Sequence, residues 1–89
     1  MNQQAIAQFV QVVAGFGPVR AKYLPRNGQW QRITKATVAV GETDIEVGSD
    51  NGTITIPLKD IEQIIFAAED QKFFVHLIDG LVELRPDTD

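Results

Sequence analysis

From Pro18 almost to its end, the chain alternates apolar and polar residues, and turn residues break the alternation about every ten residues. Such alternation places apolar side chains on one face of a strand and polar side chains on the other. Turn signals stand at Asn27-Gly28 and Asp79-Gly80, and also at residues 41–42 and 50–52. Asn-Gly and Asp-Gly are typical of type I′ hairpins, which need positive φ at both central positions. The pattern predicts antiparallel hairpins.

These turns delimit about seven short strands, at residues 19–24, 29–40, 43–48, 53–58, 61–67, 72–78 and 81–85. Within the long second strand, Ala36, Val38 and Val40 share one predicted face. Sequential hairpins favour an up-and-down meander. A meander of this length closes into a barrel or folds over as a roll, because open edges invite aggregation. We therefore predict a mainly β (α+β) domain.

A different period precedes Pro18, because apolar residues recur there at helical spacing. The stripe consists of Ile6, Phe9, Val10 and Val13. Residues 3–14 are thus predicted to form a helix, with Asn2 as its N-cap and Gly15 and Gly17 at its end. The opposite face is rich in uncharged glutamine. Two interpretations remain open: the stripe packs on the domain's own sheet, or it is an interface with a partner or a second copy.

The 89 residues suffice for one modest core, so we expect a single domain over residues 1–89, with the β-barrel at 19–85 and a frayed acidic tail at 86–89. The chain has no cysteine and one histidine, His76, in the middle of a predicted strand. No nucleophile–base pair or phosphate-binding glycine loop is visible. We expect no enzyme, no catalytic residue, no metal and no cofactor. Neither a signal peptide nor a membrane span is predicted, which favours a cytoplasmic protein.

The net charge of −4 conceals a division of charge along the chain. Residues 1–40 hold five cations and no acid, whereas residues 41–89 hold all 12 acids and three cations. Such a division is typical of an anion-binding face, but it is also expected where basic strands pair with acidic ones. The basic residues of the first half surround the first predicted hairpin. The candidate anion- or partner-binding residues are Arg20, Lys22, Arg26, Trp30, Arg32 and Lys35.

Several segments resemble small bacterial and archaeal domains of the pleckstrin-homology superfold. They comprise a Trp-containing strand at 28–32, strands at 37–40 and 45–47, an Ile-Pro-Leu-x-x-Ile-x-x-Ile segment within 55–64, and a hairpin at 73–84. The resemblance implies a seven-stranded barrel with a helix, and a first hairpin that holds phosphorylated headgroups. It departs in one respect, because the family's helix normally follows the last strand. Residues 3–66 also resemble an Sm-like barrel, and a weaker resemblance is to archaeal taxis adaptor proteins.

These observations lead to several functional hypotheses. The first is a non-catalytic protein-interaction or adaptor module on a pleckstrin-like barrel, with a protein partner or a homo-oligomer. The second is an anion binder that uses the basic hairpin to hold a phospholipid headgroup or RNA. The third is an Sm-like oligomeric RNA-binding protein. A taxis adaptor-like domain is a further alternative.

Overall fold

The computed structural model describes residues 3–87, which form one helix, one short 3-10 turn and seven strands. The helix α1 spans Gln3–Gly15 and the 3-10 turn spans Leu58–Asp60. The strands are β1 Val19–Pro25, β2 Gln31–Val40, β3 Asp44–Ser49, β4 Gly52–Pro57, β5 Ile61–Ala67, β6 Lys72–Leu77 and β7 Gly80–Pro86. This composition confirms the predicted mainly β class. The proposed N-cap, Asn2, lies outside the described residues.

All strand pairs are antiparallel, and the strand order is β4-β3-β2-β1-β7-β6-β5. Each strand therefore pairs with its successor, except that β4 and β5 stand at the two ends of the order. The 3-10 turn separates these two strands. The first and the seventh strand meet instead, because β1 pairs with β7 along its whole length, from Val19↔Pro86 to Pro25↔Gly80. The first strand is thus the centre of the sheet.

An irregularity at Lys35 reverses the inward face of β2. Lys35 has a φ of 50°, and the register against β1 shifts at this point. As a result Ile33 and Ala36, three positions apart, are both buried. Beyond the irregularity β2 leaves β1 and pairs with β3 through residues 37–40. The predicted common face of this second half exists, but Val40 at its end is exposed.

The helix packs its apolar stripe against the domain's own sheet. Phe9 and Val13 are 2% and 1% exposed, and Ile6 is buried beside them. The Phe9 ring meets Phe73 of β6 edge-on, at 4.8 Å between centroids. Val10 is only half-buried at the margin of this core. Of the two interpretations of α1, the structure supports the core, so Ile6, Phe9 and Val13 do not form an exposed interface.

The prediction of a frayed tail is wrong for residues 86 and 87. Pro86 belongs to β7 and pairs with Val19. The Asp87 N–H donates to the Pro18 carbonyl at 3.0 Å, and the Asp87 side chain is only 4% exposed. Local sequence could not indicate this, because the partners of Asp87 lie at the other end of the chain. Residues 88–89 lie outside the described part of the chain.

The predicted hairpins occur, but the type I′ assignment is wrong at both dipeptides. None of the residues Asn27, Gly28, Asp79 and Gly80 has positive φ. Leu77 pairs with Gly80, so the two-residue loop consists of residues 78–79 and Gly80 begins β7. A Cβ on Gly80 would lie 2.6 Å from the Leu24 carbonyl oxygen. This glycine is therefore required for close approach of β7 to β1, and not for the turn.

Candidate functional site

A groove of about 510 Å³ lies on the outer face of the sheet, across β2, β1, β7 and β6. We call it the basic groove. Among the described residues it is lined by Arg20, Ala21, Lys22, Arg32, Thr34, Lys72, Glu83 and Arg85. Five of the chain's eight Lys and Arg residues are in this lining, with one of its twelve acids. The groove is therefore strongly cationic in an acidic protein.

Strand register brings these cations together. Residues two apart on a strand share a face, and cross-strand partners share it too. Arg20 lies opposite Arg85 of β7, and Lys22 lies between Arg32 of β2 and Glu83 of β7. Like charges directly opposite each other destabilise a sheet. Of the three cross-strand pairs between charged residues in the groove, two join a cation to a cation: Arg20 with Arg85, and Lys22 with Arg32.

Trp30 stands where the loop before β2 meets the groove. Trp30 is the chain's one tryptophan and is 54% exposed, although tryptophan residues are on average highly buried. Lys22 Nζ lies 5.4 Å and Arg32 Cζ lies 4.9 Å from the ring centroid, so both cations make cation–π contacts. These contacts hold the two cations and the ring together. An exposed aromatic ring thus lies next to two cations of the groove.

Two of the groove cations, Arg20 and Lys72, form ion pairs with carboxylates. Arg20 Nη2 donates to Asp87 Oδ1 at 3.2 Å, and Lys72 Nζ lies 3.6 Å from Glu83 Oε1. The second oxygen of Asp87 accepts the Lys35 backbone N–H at 2.8 Å. Asp87 therefore fixes the position of Arg20 and stabilises the irregular backbone of β2 at the same time.

The sequence-predicted residues divide into two groups. Arg20, Lys22 and Arg32 line the basic groove, and Trp30 lies beside it in contact with Lys22 and Arg32. Arg26 lies in the turn after β1, where its backbone N–H donates to the Asp79 carbonyl, and its side chain does not line the groove.

Lys35 does not line the groove, and the irregularity in β2 leaves its side chain exposed. It lines a separate shallow depression with residues 48–51. An uninterrupted alternation would have placed it on the face opposite Arg32. The sequence pattern gave no local sign of the positive φ at this position.

Sequence reasoning missed Lys72, Glu83 and Arg85. All three belong to the acidic half of the chain, and they reach the groove only because β7 pairs with β1. A partial signal was present, since Glu83 and Arg85 are two apart in a strand whose intervening residue, Leu84, is apolar. That spacing predicts that they share an outer face, but it does not say which strand lies beside them.

A second, apolar depression of about 210 Å³ lies between α1 and β5. Phe66 of β5 lines it, is 43% exposed and stacks on Phe73 at 4.6 Å. Ile65 is exposed on the other face of the same strand. Since β5 stands at one end of the strand order, it presents apolar side chains beside an edge.

Within residues 3–87, no group of three or more His, Cys, Asp or Glu side chains is placed to hold a metal ion. His76 lies on β6, half-buried and paired with Leu81. No helix in the same range is long and apolar enough to cross a bilayer.

Comparison of the chain with protein-family models, with curated proteins and with solved structures found no match. The pleckstrin-like and Sm-like resemblances therefore remain predictions.

Proposed function

We propose that the protein is a non-catalytic anion-binding module whose basic groove holds the phosphate groups of its ligand. One observation carries the proposal: five cations converge on one face of a chain whose net charge is −4. A cluster of this kind creates a local positive potential that attracts anions despite the overall charge. Arginine and lysine are also the usual phosphate ligands of proteins.

The energetics of the sheet support the same proposal. The pairs Arg20↔Arg85 and Lys22↔Arg32 oppose like charges, each at a cost of about 0.2–1 kcal/mol relative to a neutral pair. Pairs of residues that weaken a fold are expected at functional sites, where a bound ligand compensates for them. A bound phosphate between the strands offsets the repulsion.

Calorimetric titration with inorganic polyphosphate tests the proposal. We expect binding at low salt that weakens steeply as salt is raised, because counterions are released. Arg85→Gln removes one groove cation and lowers the slope of log affinity against log salt by about one. Lys59→Gln, which removes a cation from the 3-10 turn outside the groove, is the matched control and leaves the slope unchanged. Absence of binding at 20 mM salt, or equal effects of the two variants, would refute the proposal.

Protein interaction is a second candidate function, and the exposed apolar residues Ile65 and Phe66 of β5 favour it. An edge strand with apolar side chains is suited to pairing with another strand, including the same strand of a second copy. Sedimentation at increasing protein concentration tests this candidate. Self-association that Phe66→Lys abolishes supports it. A monomer at every concentration, with no effect of the substitution, excludes the homo-oligomer.

A further inference from the structure

We infer that the ligand of the basic groove is single-stranded nucleic acid, with a base stacked on Trp30 and phosphates on the neighbouring cations. This inference rests on the proposed function and narrows its ligand class. Three features carry it: an exposed aromatic ring in contact with two cations of the groove, the spread of the groove cations over four adjacent strands, and one carboxylate among these cations.

The ring and the cations supply the two contacts that a nucleotide needs. Trp30 is more than half exposed, and Lys22 and Arg32 are held about 5 Å from its centroid. Proteins that bind single strands combine a cationic track for the backbone with aromatic rings for the bases. Phosphate groups alone make no stacking contact with an indole, whereas a nucleic-acid base does.

The spread of the groove cations fits a nucleic-acid strand better than an isolated phosphate. The cations are distributed over four adjacent strands, β2, β1, β7 and β6. Neighbouring strands are about 4.8 Å apart, so the row extends over about 14 Å. This length accommodates several consecutive phosphates. The open face of the sheet also leaves room for bases. Only a single strand has bases free to lie there, because the bases of a duplex are paired and stacked inside it.

Glu83 is the third feature. Its carboxylate lies in the groove between Lys22, its cross-strand neighbour, and Lys72, its ion-pair partner. A carboxylate repels phosphates, so a ligand made of phosphates alone gains no contact from Glu83. It accepts hydrogen bonds from base amino groups, as acidic residues do from cytosine N4. We therefore assign Glu83 to base contact and expect a preference for cytosine over thymine.

The test compares two ligands of matched charge, a 12-nucleotide single strand and inorganic polyphosphate. The single tryptophan reports directly on the groove. We expect the oligonucleotide to quench Trp30 emission and to bind about tenfold or more tightly than polyphosphate, since each stacked base adds affinity. Binding of the oligonucleotide, followed by anisotropy of a labelled strand, is expected to fall about tenfold in Trp30→Ala and to recover in Trp30→Phe. Polyphosphate binding is unchanged in both variants.

A second variant tests the base contact. Glu83→Gln removes the carboxylate and keeps its shape, so polyphosphate binding is expected to strengthen. The preference for oligo(dC) over oligo(dT) is expected to shrink severalfold at the same time. Thermal unfolding of each variant shows that the fold is retained. Unchanged preference together with unchanged polyphosphate binding would overturn the role of Glu83.

The possible failures are distinguishable. If polyphosphate binds and the oligonucleotide binds no more tightly, the inference is overturned and the proposed anion-binding function stands. If neither binds at low salt, both fail. If phosphatidylserine vesicles bind and shift Trp30 emission while oligonucleotides do not, the ligand is a lipid surface and the inference is overturned.

Discussion

At the scale of single residues, Asp87 and Lys35 form the contact on which the shape of β2 depends. A lysine with positive φ is strained by about 1–2 kcal/mol. The Asp87 carboxylate offsets this strain by accepting the Lys35 N–H while it pairs with Arg20. We expect Asp87→Ala to lower the free energy of unfolding by about 1–3 kcal/mol.

Urea denaturation measures this effect, and Asp70→Ala is the control. Asp70 is an exposed carboxylate in the turn between β5 and β6, so its removal is expected to change stability by less than about 0.5 kcal/mol. Equal stability of the two variants would mean that Asp87 does not support the irregular backbone.

Part of the site was predictable from individual residues and part was not. Arg20 and Lys22 are two apart on one strand, and Arg32 follows on the next, so local period and one turn were enough to place them together. Arg85 was not predictable, because its neighbour Arg20 is 65 positions away and no local pattern encodes that pairing. Lys35 was grouped with these cations because it follows Arg32 on the same strand, but the register of β2 shifts at its positive φ and its side chain lies outside the groove.

At the scale of elements, the contact between β1 and β7 depends on Gly80. A methyl group there would lie 2.6 Å from the Leu24 carbonyl oxygen and 3.0 Å from the Pro25 Cα. Backbone cannot yield as a side chain does, so Gly80→Ala is expected to destabilise by about 2 kcal/mol or more. Thermal unfolding of Gly80→Ala against the wild type measures the loss.

Gly15→Ala is the matched control for that substitution. No atom would lie within 4 Å of its Cβ and its φ is not positive, so alanine at the end of α1 is expected to stabilise by about 0.4–1 kcal/mol. If both glycine variants changed stability in the same direction, close packing of β7 on β1 would not be the cause.

The helix gives a second prediction at this scale. Phe9 is buried against Phe73, so Phe9→Asp places a charge in the core and is expected to unfold the domain. Circular dichroism measures the loss of structure, and Gln11→Asp on the exposed face of α1 is the control. A folded Phe9→Asp variant that merely changes its sedimentation would instead identify the stripe as an interface.

At the scale of the whole molecule, the clustered cations have opposite effects on two properties: they favour anion binding and they lower the stability of the fold. Arg85→Gln removes the repulsion across the Arg20↔Arg85 pair, so it is expected to raise stability at low salt by about 0.2–1 kcal/mol while it weakens anion binding. The gain disappears at high salt, because exposed charges are screened. Thermal unfolding at 10 mM and 500 mM salt measures both effects, and a lower melting temperature for Arg85→Gln at low salt would contradict the account.

The central position of β1 also has a consequence for how the chain folds. β1 pairs with β2, which follows directly, and with β7, which completes the chain's last hairpin. A contact between distant segments forms only after a long loop has closed, and the entropy lost in that closure slows folding. During synthesis on the ribosome, one edge of β1 therefore remains unpaired until residues 80–86 have been synthesised. The basic groove needs strands from both halves, so a nascent chain cannot engage an anionic ligand there before β7 has paired with β1.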